Sequence, residues 1–329
     1  MTITADCVDV QSYRQHSLHG GDRDWVETNC YVDVWIELLS QLGLPPEPAC
    51  LTALSSDATP GQWSFLKFQV DDVRRLYDIE VGEMNVWRTV EEHVVEQLVA
   101  GQLCTLESDA WYLPDTAGIS YRTEHVKTTI VPLVIDTTGR RLVYLHNAGR
   151  FELDGDDYVG ALALQGSDTR VPEPYMESVR IDRRVRDLSS LPVRAVDLAR
   201  SHLERAPSDN PVYRLGAAMN AELSALAACG MAYFHLYSFA TTRQLGLSAQ
   251  CAADGLDWLH RDGILGAEPG PALAEASAAF RNVSSGAKRL QFSLARIASG
   301  RSRPIDAAID ALATDWAGAM AAARRALLA

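Results

Sequence analysis

Cysteine is scarce in this chain and never paired in sequence: there are six in 329 residues and no CxxC. That excludes a disulfide framework and a thiolate zinc site, and no metal is expected. No uninterrupted run of about 18 apolar residues is present, so nothing in the sequence reads as a membrane span. Met1 to Gln15 lacks the basic start and apolar core of a secretion signal, and the chain is expected to be cytoplasmic. Positive charge is also short. Thirty Lys and Arg face 43 Asp and Glu, leaving a net charge of −13. Such a surface repels bulk nucleic acid, so DNA is not an expected partner. An acidic carrier protein is repelled as well, unless it meets a local basic patch. Internal repeats and low-complexity tails are missing.

What is present divides the chain in two. The length and a 47% hydrophobic content suffice for one large domain or two ordinary ones. In the first half, Val32, Trp35, Ile36 and Leu39 fall at helical spacing, which predicts a helix over 30–42 stopped by Gly43 and Pro45. The runs 103–107, 125–135 and 142–146 are rich in Val, Ile, Thr and Tyr and read as strands. Thr138-Gly139 joins the last two as a hairpin. A Pro- and charge-rich stretch, 171–192, reads as a linker or wrapping arm between a domain over 1–170 and a helical domain over 193–329. Helices are expected at 193–206, 211–228, 232–260, 271–299 and 304–328, broken by Pro207, Gly230, Gly263 and Pro304. The fold class is therefore α+β, with an all-helical C-terminal region. Cys104, Cys229 and Cys251 lie in apolar runs and are expected to be buried. Trp63, Phe65, Phe68 and Trp87 are expected in the core.

The chemistry-bearing residues sit in the first half. Cys30 follows Thr28-Asn29 and opens the predicted helix. A thiol at a helix N-terminus lies near unpaired N–H groups and the positive end of the dipole, both of which favour the thiolate. The Cys30 amide and the Asn29 side chain are candidates for an oxyanion site. The plainer reading is an inert, half-buried cysteine. His125 begins one strand and Asn147 ends the next, so antiparallel pairing is expected to make them neighbours. An Asn carbonyl accepting from one ring nitrogen fixes the tautomer and leaves the other nitrogen as base. Cys on a helix, then His and Asn on strands, is the papain-type order. His146 adjoins Asn147 but by alternation faces the other side of the sheet, as a structural or supporting residue. Asp109 and Asp115 lie before His125, placed to bind a substrate amine or to cap turns. His16 and His19, spaced HxxH near Asp22 and Asp24, read as surface or cleft rim.

The phrases Glu27 to Glu37 (ETNCYVDVWIE), Gln62 to Lys67 (QWSFLK), Tyr112 to Thr116 (YLPDT), His125 to Ile130 (HVKTTI) and His146 to Gly149 (HNAG) resemble a bacterial domain-of-unknown-function family usually numbered 1839. More remotely, the arrangement is similar to the butirosin acyltransferase, which has a papain-like N-terminal domain and a helical C-terminal part. That enzyme moves an aminoacyl group from an acyl carrier protein thioester to an amine. The resemblance implies a papain-like fold, Cys30 as nucleophile, His125 as base and Asn147 as orienter. It implies no cofactor of the protein's own, because the donor carries the phosphopantetheine. The expected partners are an acyl carrier protein, or an aminoacyl-tRNA, and a small-molecule acceptor. A cysteine peptidase or amidase, or a binding module without activity, remains open. For the donor, Arg281, Lys288, Arg289 and Arg296 stand in a span, Arg281 to Arg303, that has no acidic residue. Steps of seven and eight residues put Arg281, Lys288 and Arg296 on one side of a helix, as a landing stripe or simply a solvated face.

Overall fold

In the computed structural model, residues 1–10, 12–21, 23–25, 29–164, 175–261, 269–301 and 304–328 are described. The expectations for Thr28, Asp22, the Val171-Pro172-Glu173-Pro174 run, Gly263 and Arg303 lie outside them. The chain forms two compact units, and neither is continuous. The first comprises 1–21, 26–46 and 68–187; the second comprises 22–25, 47–67 and 188–329.

The first unit is built on a seven-stranded antiparallel sheet. Its strands are β1 (Thr2–Thr4), β4 (Glu80–Glu83), β5 (Leu103–Asp109), β6 (Lys127–Asp136), β7 (Arg141–His146), β8 (Gly149–Asp154) and β9 (Met176–Arg180). The order is β4-β9-β5-β6-β7-β8, and β1 pairs with β6 beyond the end of the β5 ladder. The ladder skips a residue between Pro132 and Val134 of β6, a bulge that accommodates a proline within a strand. Helix α1 (Cys30–Gln41) covers one face and contacts β6 and β7. It ends as the sequence predicts: Gly43 has φ 73°, and the Leu44 N–H returns to the Leu39 carbonyl at 2.9 Å. Helices α3 (Val90–Val99) and α4 (Gly155–Ala161) cover the opposite face, where Gln97 meets Ser178 and Ser108 donates to the Ala161 carbonyl. Helix α2 (Val70–Tyr77) packs on β4.

The second unit holds α5 (Leu191–Arg205), α6 (Pro211–Ser238), α7 (Gln244–Arg261), α8 (Gly270–Ala298) and α9 (Asp306–Leu327), with a small hairpin of β2 (Ala58–Thr59) and β3 (Gln62–Trp63). Trp316 joins the layers, its ring edge-on to Trp63 at 5.1 Å and to Phe280 at 5.4 Å. Helix α6 bends sharply at Gly230, φ 72°, where the sequence places a breaker. The helical run Pro211–Arg261 is long and apolar enough, by length and composition, to cross a bilayer.

Several expectations change. The supposed arm over 171–192 contributes β9, an interior strand, and the start of α5. Residues 47–67 belong with the helical unit rather than with the sheet. Cys104 and Cys251 are buried, but Cys229 is exposed. Trp63 and Phe68 are core, whereas Phe65 and Trp87 stand in solvent. An apolar run fixes neither which side of a helix a residue takes nor which side of a loop.

Candidate functional site

Register fixes the geometry. Glu107 of β5 pairs with Thr129 of β6, and Asp109 pairs with Lys127. Thr129 faces α1, because its hydroxyl lies 3.7 Å from the Cys30 thiol. Alternation then puts Lys127 and its partner Asp109 on the same side of the sheet. The Asp109 carboxylate, 3% exposed, holds His125 Nδ1 at 2.6 Å. Its other oxygen accepts from the Trp111 and Val126 N–H groups at 3.1 and 3.2 Å. The Trp111 ring stacks on the imidazole, 4.5 Å between centroids and 9° from parallel. The ring is thus held in its plane and gripped at one nitrogen. With Nδ1–H donating to the carboxylate, Nε2 becomes the basic nitrogen.

The side chain that holds the His125 ring is therefore that of Asp109, not Asn147. β6 begins only at Lys127 and pairs Ile130 with His146, so His125 projects past the end of β7. Asn147 instead sits in the two-residue turn between β7 and β8, with φ 45°. Asn tolerates that left-handed conformation better than most residues. Asn147→Gly is accordingly expected to keep or slightly raise stability, by a few tenths of a kcal/mol, and to leave acylation of Cys30 unchanged. Urea unfolding and single-turnover kinetics check this; a hundredfold loss of rate would return Asn147 to the site.

The other candidates are placed as follows. The Asn29 Oδ1 caps α1, accepting from Tyr31 and Val32 N–H at 3.1 and 3.0 Å, so that oxygen serves the helix and not an oxyanion. His146 is a structural residue, as alternation implies, and Asp115 is its partner rather than a group open to a substrate amine. They are bonded to each other at 2.5 Å on the face away from Cys30, at 1% and 4% exposure, and the second His146 nitrogen meets the Thr128 hydroxyl at 2.7 Å. Asp115 also accepts from the Tyr144 hydroxyl. The Cys30 thiol has Thr129 as its polar neighbour; among the described residues no His125 nitrogen is within hydrogen-bonding distance. Arg281 leaves the docking stripe, because it pairs with Asp254 at 3.4 Å and with Asp257. Lys288 is half-buried beside Trp25, 4.1 Å from the ring centroid, while Arg289 and Arg296 are exposed.

A buried ionic cluster on the Cys30 stripe of α1 is not legible from sequence. Cys30, Asp33 and Glu37 share one side of the helix. His19, expected at the surface, is buried between the two carboxylates, with Nδ1 2.5 Å from Glu37 and Nε2 3.1 Å from Asp33. Burial alone depresses its ionisation, but the hydrogen bonds to Asp33 and Glu37 outweigh that and hold it up at about 9. Tyr13 donates to Glu37 at 2.9 Å, and Gln15 donates to the Ala148 carbonyl at 2.8 Å. Segment 13–19 is thereby pinned across α1 to the β7–β8 turn. Glu177 of β9 is a further buried carboxylate on this face, accepting from Thr105 at 2.9 Å and from Tyr31 at 3.2 Å. Among the described residues no cluster of His, Cys, Asp and Glu is arranged to hold a metal.

Residues 14–181 match the model of the DUF1839 N-terminal domain, and residues 189–325 match that of the DUF1839 C-terminal domain. The chain belongs to the DUF1839 family. None of the curated proteins matches it in sequence. The Asp109–His125 pair and Cys30 both fall in the DUF1839 N-terminal domain, and the basic span of α8 falls in the C-terminal one.

Proposed function

We propose that the protein is an acyl or aminoacyl transferase with Cys30 as nucleophile, His125 as general base and Asp109 as the residue that orients it, on a papain-like N-terminal fold. The observation that carries this reading is the Asp109–His125 contact of 2.6 Å, stacked on Trp111, on the sheet face that the N-terminus of α1 packs against. A carboxylate-held imidazole and a helix-N-terminal thiol on one sheet face are the two groups that an activated sulfur nucleophile needs. In this mechanism the Cys30 thiolate adds to the carbonyl carbon of a thioester. The carbon–sulfur bond of the donor breaks, and its sulfur leaves as a thiol with the proton that His125 took from Cys30. An amine or hydroxyl then attacks the acyl-Cys30, His125 takes the acceptor's proton, and the cysteine sulfur is released as the leaving group. The Cys30–His125 contact has to close on substrate binding, since catalytic contacts are often loose before it. A thioester donor on a carrier protein, or an aminoacyl-tRNA, and a small-molecule acceptor fit this chemistry.

Intact-mass measurement after incubation with aminoacyl thioesters of N-acetylcysteamine tests it. The wild type is expected to gain one acyl mass, and Cys30→Ala none. An adduct that survives Cys30→Ala, or its absence from the wild type, removes Cys30 as nucleophile. The Thr129 contact favours one alternative, in which the thiol is packing and the Asp109–His125 pair activates water as an amidase. That alternative predicts hydrolysis without an adduct.

A further inference from the structure

On the helical unit, large apolar side chains stand in solvent beside cations. Leu236 is 75% exposed, Phe292 58%, Phe65 51% and Phe239 42%. The Phe65 and Phe239 rings are 6.4 Å apart, and Leu236 is one turn before Phe239. Arg243 lies over the Phe239 ring, 5.8 Å from its centroid. The segment 239–243, which carries Phe239 and Arg243, packs against α8. On α8, Phe292 sits one turn from Lys288 and one turn from Arg296, with exposed Arg289 alongside. The span from Arg281 to Arg303 has no acidic residue of its own; Asp24 meets it at Ser285, and Asp254 and Asp257 hold Arg281, which leaves Arg289 and Arg296 as the exposed cations of α8.

We propose that this aromatic and basic patch is the docking surface for an acidic, helix-presenting protein. Resting on the reaction proposed above, that partner is the carrier of the acyl thioester. An apolar centre with a charged rim is the anatomy of a protein–protein contact. Lys288 and Arg296 are eight residues apart, about 12 Å along the helix, which matches carboxylates two turns apart on a partner helix. A second copy of this chain would bring the same cations together across a two-fold axis. A bilayer or a nucleic-acid strand extends beyond the patch and meets the rest of a chain of net charge −13. A small folded partner need touch only the patch.

Fluorescence anisotropy of a labelled acidic acyl carrier protein against the full chain tests this, with labelled single-stranded RNA and phosphatidylserine vesicles in parallel. The carrier protein is expected to bind saturably and more tightly at low salt. The double variant Arg289→Glu/Arg296→Glu, and separately Phe292→Ser, should each raise its Kd at least tenfold, with the melting temperature kept as the control for folding. No binding, binding unmoved by both variants, or tighter binding of RNA or vesicles would overturn the proposal. Docking that persists in a chain whose Cys30 takes no acyl group would sink the reaction and leave the surface standing.

Discussion

Asp109→Asn is expected to slow acyl transfer through Cys30 by roughly 10²–10⁴-fold, as much as His125→Ala, because both remove the same general base. The carboxylate accepts from Nδ1–H and so leaves Nε2 basic. An Asn amide can turn its NH2 toward Nδ1 and favour the other tautomer. The two substitutions should not add: the double variant is expected to be about as slow as either single one, since residues that act as a unit fail together. Single-turnover acylation rates measured across pH decide the matter. Loss of the low-pH limb of the profile in His125→Ala, with binding of the thioester kept, marks a base. A Asp109→Asn rate within threefold of wild type would show that the pair is structural.

Raising the pH from 6 to 9.5 is expected to cost the first unit about 3 kcal/mol of stability, through His19 alone. Its ionisation is held up at about 9, against 6.5 as its ordinary value. A group raised on folding contributes fully below its unfolded pKa, and that contribution drains away as pH climbs through the folded one. The loss therefore falls between pH 6.5 and about 9. Above that window Asp33 and Glu37 face each other across a neutral ring inside the protein. His19→Leu removes the cation outright and should cost about 3–5 kcal/mol at pH 6, the usual result of stranding one side of a buried pair. Urea midpoints at both pH values, for both proteins, provide the measurement. The wild-type midpoint should fall with pH and the variant's should stay flat below it. A flat wild-type profile means that the imidazolium is not what binds segment 13–19 to α1.

The helices were legible because they carry their own signals. Val32, Trp35, Ile36 and Leu39 mark α1, Gly43 ends it, α5 stops just before Pro207 and α9 starts just after Pro304, while Gly230 bends α6 without ending it. Strands β5, β6 and β7 showed through β-branched runs. Strand β9 did not: MESVR is short and mixed, and its place between β4 and β5 comes from pairing partners far away in sequence. Of the candidate site, Cys30, His125 and Asp109 are all visible as candidates, but sequence reads Asp109 as a substrate-amine ligand or a turn cap and gives the orienting role to Asn147. The error was one of register. Matching strand ends assumes strands of equal length, whereas β7 stops opposite Ile130 and His125 reaches back to β5 instead. The His19 cluster escaped because its parts lie 14 and 18 residues apart, across a segment with no regular pattern.

The position of β9 also orders events in time. As the chain leaves the ribosome, β4 and β5 emerge some 70 or more residues ahead of the strand that separates them. Until residue 180 is available, both present open backbone edges, the feature that invites pairing with other chains. Nor can residues 47–67 settle early, because the helical unit they join starts at residue 188. Cutting the gene near residue 170, where composition suggests a border, would thus leave two unpaired sheet edges and a stranded stretch of helical-unit core. An excised N-terminal half is expected to collect in inclusion bodies, while the whole chain stays in solution. Each unit is finished only by sequence that lies beyond the other's beginning, so the protein is made as one piece or not at all.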